Sequence, residues 1–125
     1  MTMGGNYTDA KHYDKVITSY DKFRQLFGFR YSKYRKHAIE FSELHPNQQV
    51  LDLGCGTGIN FLDIQNRLKG TGHITGIDIS QPMIDEAVKK VKRNNWQNIS
   101  LQIDDYTKCE LPQVDRIIST YSLGS

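Results

Sequence analysis

Cysteine is scarce. Only Cys55 and Cys109 are present, too few and too far apart for a disulfide framework or a metal knuckle. No apolar run approaches the roughly 18 residues that a membrane span needs, and no leader-like segment is visible. The expected location is the cytoplasm, where the Asn-x-Ser/Thr matches at Asn6 and Asn98 carry no meaning. A surplus of one charge is lacking too: the formal net charge is +2 over 125 residues, too near neutrality to imply a nucleic-acid partner. There is no repeat and no low-complexity tract. What is present is 38% apolar residues in a length that supports one core and one domain.

Charge is concentrated locally. Lys22, Arg24, Arg30, Lys33, Arg35, Lys36 and His37 are interleaved with Phe23, Phe27, Phe29, Tyr31 and Tyr34. Two readings stand: peripheral contact with an anionic lipid headgroup or membrane surface, or the solvated face of a helix whose aromatics are packed. The second basic cluster, Lys89-Lys90-Val91-Lys92-Arg93, closes a helix opened by Asp85 and Glu86, which complements the helix dipole and calls for no partner.

The most informative stretch is Val50-Leu51-Asp52-Leu53-Gly54-Cys55-Gly56-Thr57-Gly58. An apolar strand runs into alternate glycines, whose missing Cβ atoms permit left-handed angles and close approach of a ligand. A helix start follows, with its free N–H groups expected to point into the same space. A dinucleotide turn would place its third glycine at position 59, which is Ile59. Asp52, two residues before the first glycine, also sits badly beside a pyrophosphate and suits a cofactor with a positive centre. Cys55, inside the turn, reads most simply as a small buried thiol.

On these residues the chain resembles the S-adenosylmethionine (SAM)-dependent methyltransferases of the Rossmann-like class. The resemblance implies SAM as cofactor, S-adenosylhomocysteine as its product, and no metal. Asp78, closing the run His73-Ile74-Thr75-Gly76-Ile77-Asp78, stands where the family's ribose acid is expected; a capping role before Ser80 and Pro82 is the plainer alternative. After Ser100-Leu101-Gln102-Ile103 come Asp104, Asp105 and Tyr106, where the family binds the adenine amino group, with Asp105 the better aligned of the two acids; a solvated acidic turn is the plainer alternative. The cofactor site so implied holds Asp52, Gly54, Cys55, Gly56, Thr57, Gly58, Asp78, Ile79, Asp104, Asp105, Tyr106 and Thr120, with Met83 as an apolar lid or a core residue. Tyr13-Asp14, Tyr20-Asp21, Arg35, the run at 56 to 61, Asn95-Trp96-Gln97-Asn98-Ile99 and Ser119-Thr120-Tyr121-Ser122-Leu123 look like the quinone-biosynthesis and phospholipid N-methyltransferase branch. There an amino-terminal tyrosine closes over the cofactor; Tyr20 is the candidate, Tyr13 the second, and both also fit as core aromatics of a capping helix.

Residues 1 to 12 are polar and expected to be disordered, and the domain to occupy 13 to 125. Cap helices fall at 13 to 45, within which helical spacing covers about Tyr13 to Phe29 and Ser32 to Leu44. The Rossmann-like half follows at 46 to 125, with strands at about 49 to 53, 73 to 78, 100 to 103 and 115 to 120 and helices at about 58 to 68 and 81 to 94. Alternating strands and helices require an α/β fold with a parallel sheet and right-handed crossovers. The resemblance implies a three-layer α/β/α arrangement of strand order 3-2-1-4. It covers about residues 13 to 123 and only the cofactor half of the family fold, since the family continues with a helix and three more strands. Strand four is then an edge, and a homodimer through it is expected.

The expected activity is methyl transfer from SAM to a small-molecule or lipid-like acceptor, with the catalytic residues unassigned. Other readings are a module that binds SAM or S-adenosylhomocysteine without turnover, and a partner that completes another chain's sheet. An NAD-dependent dehydrogenase is disfavoured by Ile59 and Asp52.

Overall fold

The computed structural model describes residues 33–120. The amino-terminal expectations, including Tyr13, Tyr20 and the disordered start, lie outside the described residues, as does Tyr121. Helix α1 occupies 33–41 of the described part. It is followed by β1 (Gln49–Leu53), α2 (Phe61–Leu68), β2 (His73–Asp78), α3 (Gln81–Arg93), β3 (Ile99–Ile103) and β4 (Arg116–Ile118).

The four strands form one parallel sheet of order β3-β2-β1-β4, the order the resemblance implies. The central strands have the apolar character of strands buried on both faces: Val50, Leu51, Ile74 and Ile77 are fully enclosed. β3 alternates, with Ser100 and Gln102 exposed and Ile99 and Leu101 packed against the core. In register, Val50 faces Ile74 and Ile74 faces Ile99, while Asp52 faces Gly76 and Ile118. Side chains alternate across a strand, so these residues share one face of the sheet.

That face carries the core. Phe61, Ile64 and Leu68 of α2, Ile84 and Ala87 of α3, and Ile39 and Leu44 from α1 and its exit pack with Val50, Ile74 and Ile118. The crossovers β1 to β2 and β2 to β3 step in the same direction, so a common right hand brings α2 and α3 to the same side. On the other face Leu51 and Ile77 are enclosed, whereas Ile117 of the edge strand β4 is 54% exposed. The amide groups of Gln65 and Asn98 exchange hydrogen bonds at 2.5 and 3.0 Å, and Asn98 Nδ2 also donates to Thr71 O at 3.1 Å. They clasp the end of α2 to the entry of β3.

Gly76 is required by packing. A Cβ there would lie 2.9 Å from Cys55 Sγ, 3.0 Å from Phe61 Cζ and 3.1 Å from Leu101 Cδ2. The Phe61 ring is itself held edge-on by Trp96, with centroids 6.4 Å apart. Gly76→Ala is therefore expected to destabilise the fold by about 1–3 kcal/mol, the usual range for overpacking. A lowered urea midpoint at unchanged slope checks it.

Two boundaries and one charge placement differ from the sequence expectation. α2 starts at Phe61 rather than Gly58, because Gly58 N donates to Cys55 O and Phe61 N to Gly58 O, which spends the intervening residues on tight turns. β4 is short, since Asp115 instead brackets the start of β1: its N–H donates to Gln49 O at 2.8 Å and its carboxylate accepts from Gln49 N at 2.7 Å. α3 carries basic residues in its last turn but no acid in its first, so Asp85 and Glu86 sit too deep to complement the positive end of the dipole. Asn95 takes the left-handed conformation at φ 55°. Asparagine tolerates that region, and the turn is kept.

Candidate functional site

The site is built at the carboxyl ends of β1, β2 and β3, where open parallel sheets place their ligands. The turn after β1 uses positive φ at Gly54 (67°), Gly56 (58°) and Gly58 (83°), angles that a side chain rarely adopts. At Gly58 a Cβ would also fall 2.6 Å from the Phe61 ring. N–H groups of the turn are engaged within the fold. Gly54 N and Cys55 N both donate to Ile77 O, at 2.8 and 3.0 Å, and Gly56 N donates to Asp78 Oδ2 at 2.8 Å. The turn is pinned to the end of β2 before any ligand arrives.

Asp78 is 1% exposed and holds two elements at once. Besides Gly56 N, its carboxylate accepts from Ser80 N at 3.0 Å, while Ser80 Oγ accepts from Met83 N at 3.3 Å to cap α3. The capping alternative is thus present in the form of Ser80, with Pro82 in the first turn, and Asp78 supports it from behind. Ile79 is half-buried beside it, and Met83 is buried under the start of α3. Asp104 is tied to β2 through its N–H, which donates to Asp78 O at 3.1 Å. Its carboxylate serves the local turn, accepting from Asp105 N at 2.8 Å and from Gln102 at 3.1 Å. Asp105 is buried and accepts from the N–H and hydroxyl of Thr107. Tyr106 is half-buried; burial first, then the charges of Asp78 and Asp105, hold its phenol above the usual value. The charges of Asp78 and Asp105 thus both reach the Tyr106 phenol.

Asp52 lies deepest. It is fully buried, and burial, aided by the charge of Asp78, raises its carboxyl from 3.8 to about 7, against the opposing pull of an Asn60 hydrogen bond and the Arg35 charge. Oδ1 accepts from Asn60 Nδ2 at 3.5 Å, whereas Oδ2 is buried without a partner. Asn60 also donates to Thr120 Oγ1 at 2.8 Å, placing Thr120 in the site. Cys55 is enclosed, and burial keeps its thiol well above the ordinary range, as an inert packing group. Thr57 is half-buried on the turn. Sequence reasoning missed Asn60 and the full reach of Arg35; the one available signal was an asparagine at a helix start with an arginine in the preceding helix. Among the described residues no cluster of ligands for a metal occurs.

An orphaned, buried carboxylate oxygen at the mouth of a glycine turn, with a second buried acid ending the next strand, fits a cofactor that carries an ammonium and a ribose. A family model for a methyltransferase domain matches residues 50–124, more than half of the chain. The chain belongs to the SAM-dependent methyltransferases. Among curated relatives of this methyltransferase chain, the demethylmenaquinone methyltransferase of Listeria welshimeri is 29% identical over 115 residues, spanning 91% of this chain and 48% of that protein. The aklanonic acid methyltransferase of a Streptomyces species is 28% identical, spanning 89% and 50%. The chain thus covers about half the length of the curated relatives it matches. Among solved structures, a coclaurine N-methyltransferase bound to N-methylheliamine and S-adenosylhomocysteine superposes with a TM-score of 0.64 at 26% identity, over 71% of this chain and 26% of that one. A SAM-dependent methyltransferase of Aquifex aeolicus shares the fold with a TM-score of 0.60 at 24% identity, over 68% and 46% of the two chains.

Proposed function

We propose that this chain binds SAM through Asp52, the 54–58 turn, Asp78 and the Asp105–Tyr106 turn, and forms the cofactor half of a methyltransferase acting on a small-molecule or lipid-like acceptor. The observation that carries the reading is Asp52 Oδ2, buried and unpartnered beside the glycine turn. Such an atom costs about 1–3 kcal/mol or more until a donor meets it, and an ammonium does so with a charge-assisted bond. In this reading Asp78 accepts from the ribose hydroxyls while keeping the turn seated, and Asp105 and Tyr106 serve the adenine end, with Ile79 and Met83 as apolar neighbours.

SAM supplies an activated methyl group on a sulfonium. The protein's part is to fix donor and acceptor at attack distance and exclude water, a contribution that reaches roughly 7–11 kcal/mol in well-oriented systems. The relatives are named for a demethylmenaquinone, aklanonic acid and coclaurine, which favours a small organic acceptor. The exposed Lys33, Tyr34, Lys36, His37 and Phe41 of α1 offer a basic, aromatic surface that suits an amphiphilic acceptor or a membrane face. No described helix is long and apolar enough to cross a membrane. A cytoplasmic location and pairing of two copies through β4 belong to the same proposal. A module that binds SAM without turnover is the second reading.

Calorimetric titration of the folded chain is expected to give saturable SAM and S-adenosylhomocysteine binding and none with NAD. Absence of SAM binding by folded protein would sink the proposal. A methyl-transfer assay with quinone-precursor, lipid and amine acceptors then separates an enzyme from a binding module.

A further inference from the structure

An asparagine at the start of a helix ordinarily turns its side chain onto the N–H groups of the first turn. Asn60, at the start of α2, makes no such bond. Its side chain points inward and is fully enclosed. Oδ1 accepts from Arg35 Nη1 at 3.3 Å, and Nδ2 donates to Thr120 Oγ1 at 2.8 Å and to Asp52 Oδ1 at 3.5 Å. Arg35 is anchored in turn on Asp63 Oδ2 at 2.5 Å. One amide therefore ties together α1, the end of β1, the start of α2 and the exit of β4. The helix has given up its cap for a long-range network that leaves one acceptor, Asp52 Oδ2, unfilled. Spending a cap while leaving a buried oxygen unmatched is the pattern of a site shaped for a ligand rather than for the fold alone.

We propose that Asn60, oriented by Arg35 and Thr120, is a positioning residue that grips Asp52 Oδ1 and thereby presents Oδ2 to the ammonium end of the cofactor. The inference rests on the SAM reading above and adds to it the residue that sets the strength and pH range of that contact. Asn60 and Arg35 both favour the ionised form of Asp52, while burial and Asp78 oppose it. The charged and titratable groups around Asp52 are thus Arg35 from α1, Asp78 from β2 and the enclosed Cys55 thiol, with Asp63 of α2 balancing Arg35. Removing the amide shifts the balance toward the protonated, neutral acid. A ligand bearing an ammonium then loses its partner, whereas an adenosine that lacks one is indifferent.

The test compares S-adenosylhomocysteine with 5′-methylthioadenosine, which lacks the amino-acid end, by calorimetry on the full chain between pH 6 and 9. Wild type is expected to bind S-adenosylhomocysteine more tightly as pH rises toward about 7, where Asp52 ionises. Asn60→Leu is expected to weaken S-adenosylhomocysteine about tenfold at pH 7, the loss of one hydrogen bond to a charged group, and to move the rise to higher pH. Binding of 5′-methylthioadenosine, which also reports that the variant is folded, stays within about twofold. Equal weakening of both ligands, or unchanged S-adenosylhomocysteine binding and pH profile, overturns the inference while leaving the SAM reading intact. Wild type that binds neither overturns both. Should Asn60→Leu not fold, Asp63→Asn carries the test from the half-buried side of the network: a selective, smaller loss for S-adenosylhomocysteine supports the inference, and any unselective result overturns it.

Discussion

Asp78→Ala is expected to weaken SAM by about a hundredfold or more, the largest single effect in the site. Two losses act together. A carboxylate placed for both ribose hydroxyls is removed, and hydrogen bonds to a charged group contribute about 1.5–3 kcal/mol each. The same change strips Gly56 N and Ser80 N of their acceptor, releasing the glycine turn and the start of α3. The two losses separate in Asp78→Asn, whose remaining carbonyl oxygen keeps one backbone bond while the charge is gone. It is expected to bind SAM more weakly than wild type yet better than Asp78→Ala. Calorimetry on the three proteins checks the order, and unchanged affinity in Asp78→Ala would show that the ribose assignment is wrong.

Asp52→Asn is expected to push affinity and stability in opposite directions. SAM should weaken about 10- to 100-fold, because the ammonium loses its counter-charge. The unliganded protein should become more stable at pH 8. The sign follows from the raised carboxyl of Asp52, 3.8 ordinarily and about 7 in the fold. Its contribution to stability is complete below about 3.8 and is lost as pH rises through about 7. That displacement corresponds to on the order of 4 kcal/mol between the charge states. Asparagine, neutral throughout, escapes the loss. Thermal unfolding of both proteins from pH 4 to pH 8 should show curves that meet at the acid end and diverge toward the alkaline one. A variant less stable than wild type at pH 8 would mean that Asp52 has a donor other than Asn60 in the unliganded fold.

Much of the frame is readable in local sequence, because short-range chemistry decides it. The apolar run ending at Gly54 has one sensible strand, Ser80 followed by Pro82 has one sensible helix start, and Asp78 must end the strand between them. The strand order, by contrast, came through family resemblance, since spacing alone cannot choose which neighbours pair. Asn60 shows the limit most clearly. Its type and place both indicate a cap, but the competing partners, Arg35 and Thr120, are brought to it only by the closed fold. The same holds for the start of α2, where successive glycine turns outcompete a helix that local pattern would begin at Gly58. Asp104 and Asp105 are adjacent and alike in sequence, and the closed fold separates them: Asp104 stays half-buried and accepts from Gln102 and Asp105 N, while Asp105 is buried and accepts from Thr107.

The attachment of the glycine turn to Ile77 and Asp78, in addition to its own helix, has a consequence for recognition. A loop held only by its own helix can sway independently; this one is an extension of the β1–β2 ladder and moves with it. The entropy of ordering it is incurred once, when the chain folds, and not again each time a cofactor arrives. On the proposed reading, affinity at this site is governed less by closure of this turn than by how well two buried acids, already in place, match the charges brought to them.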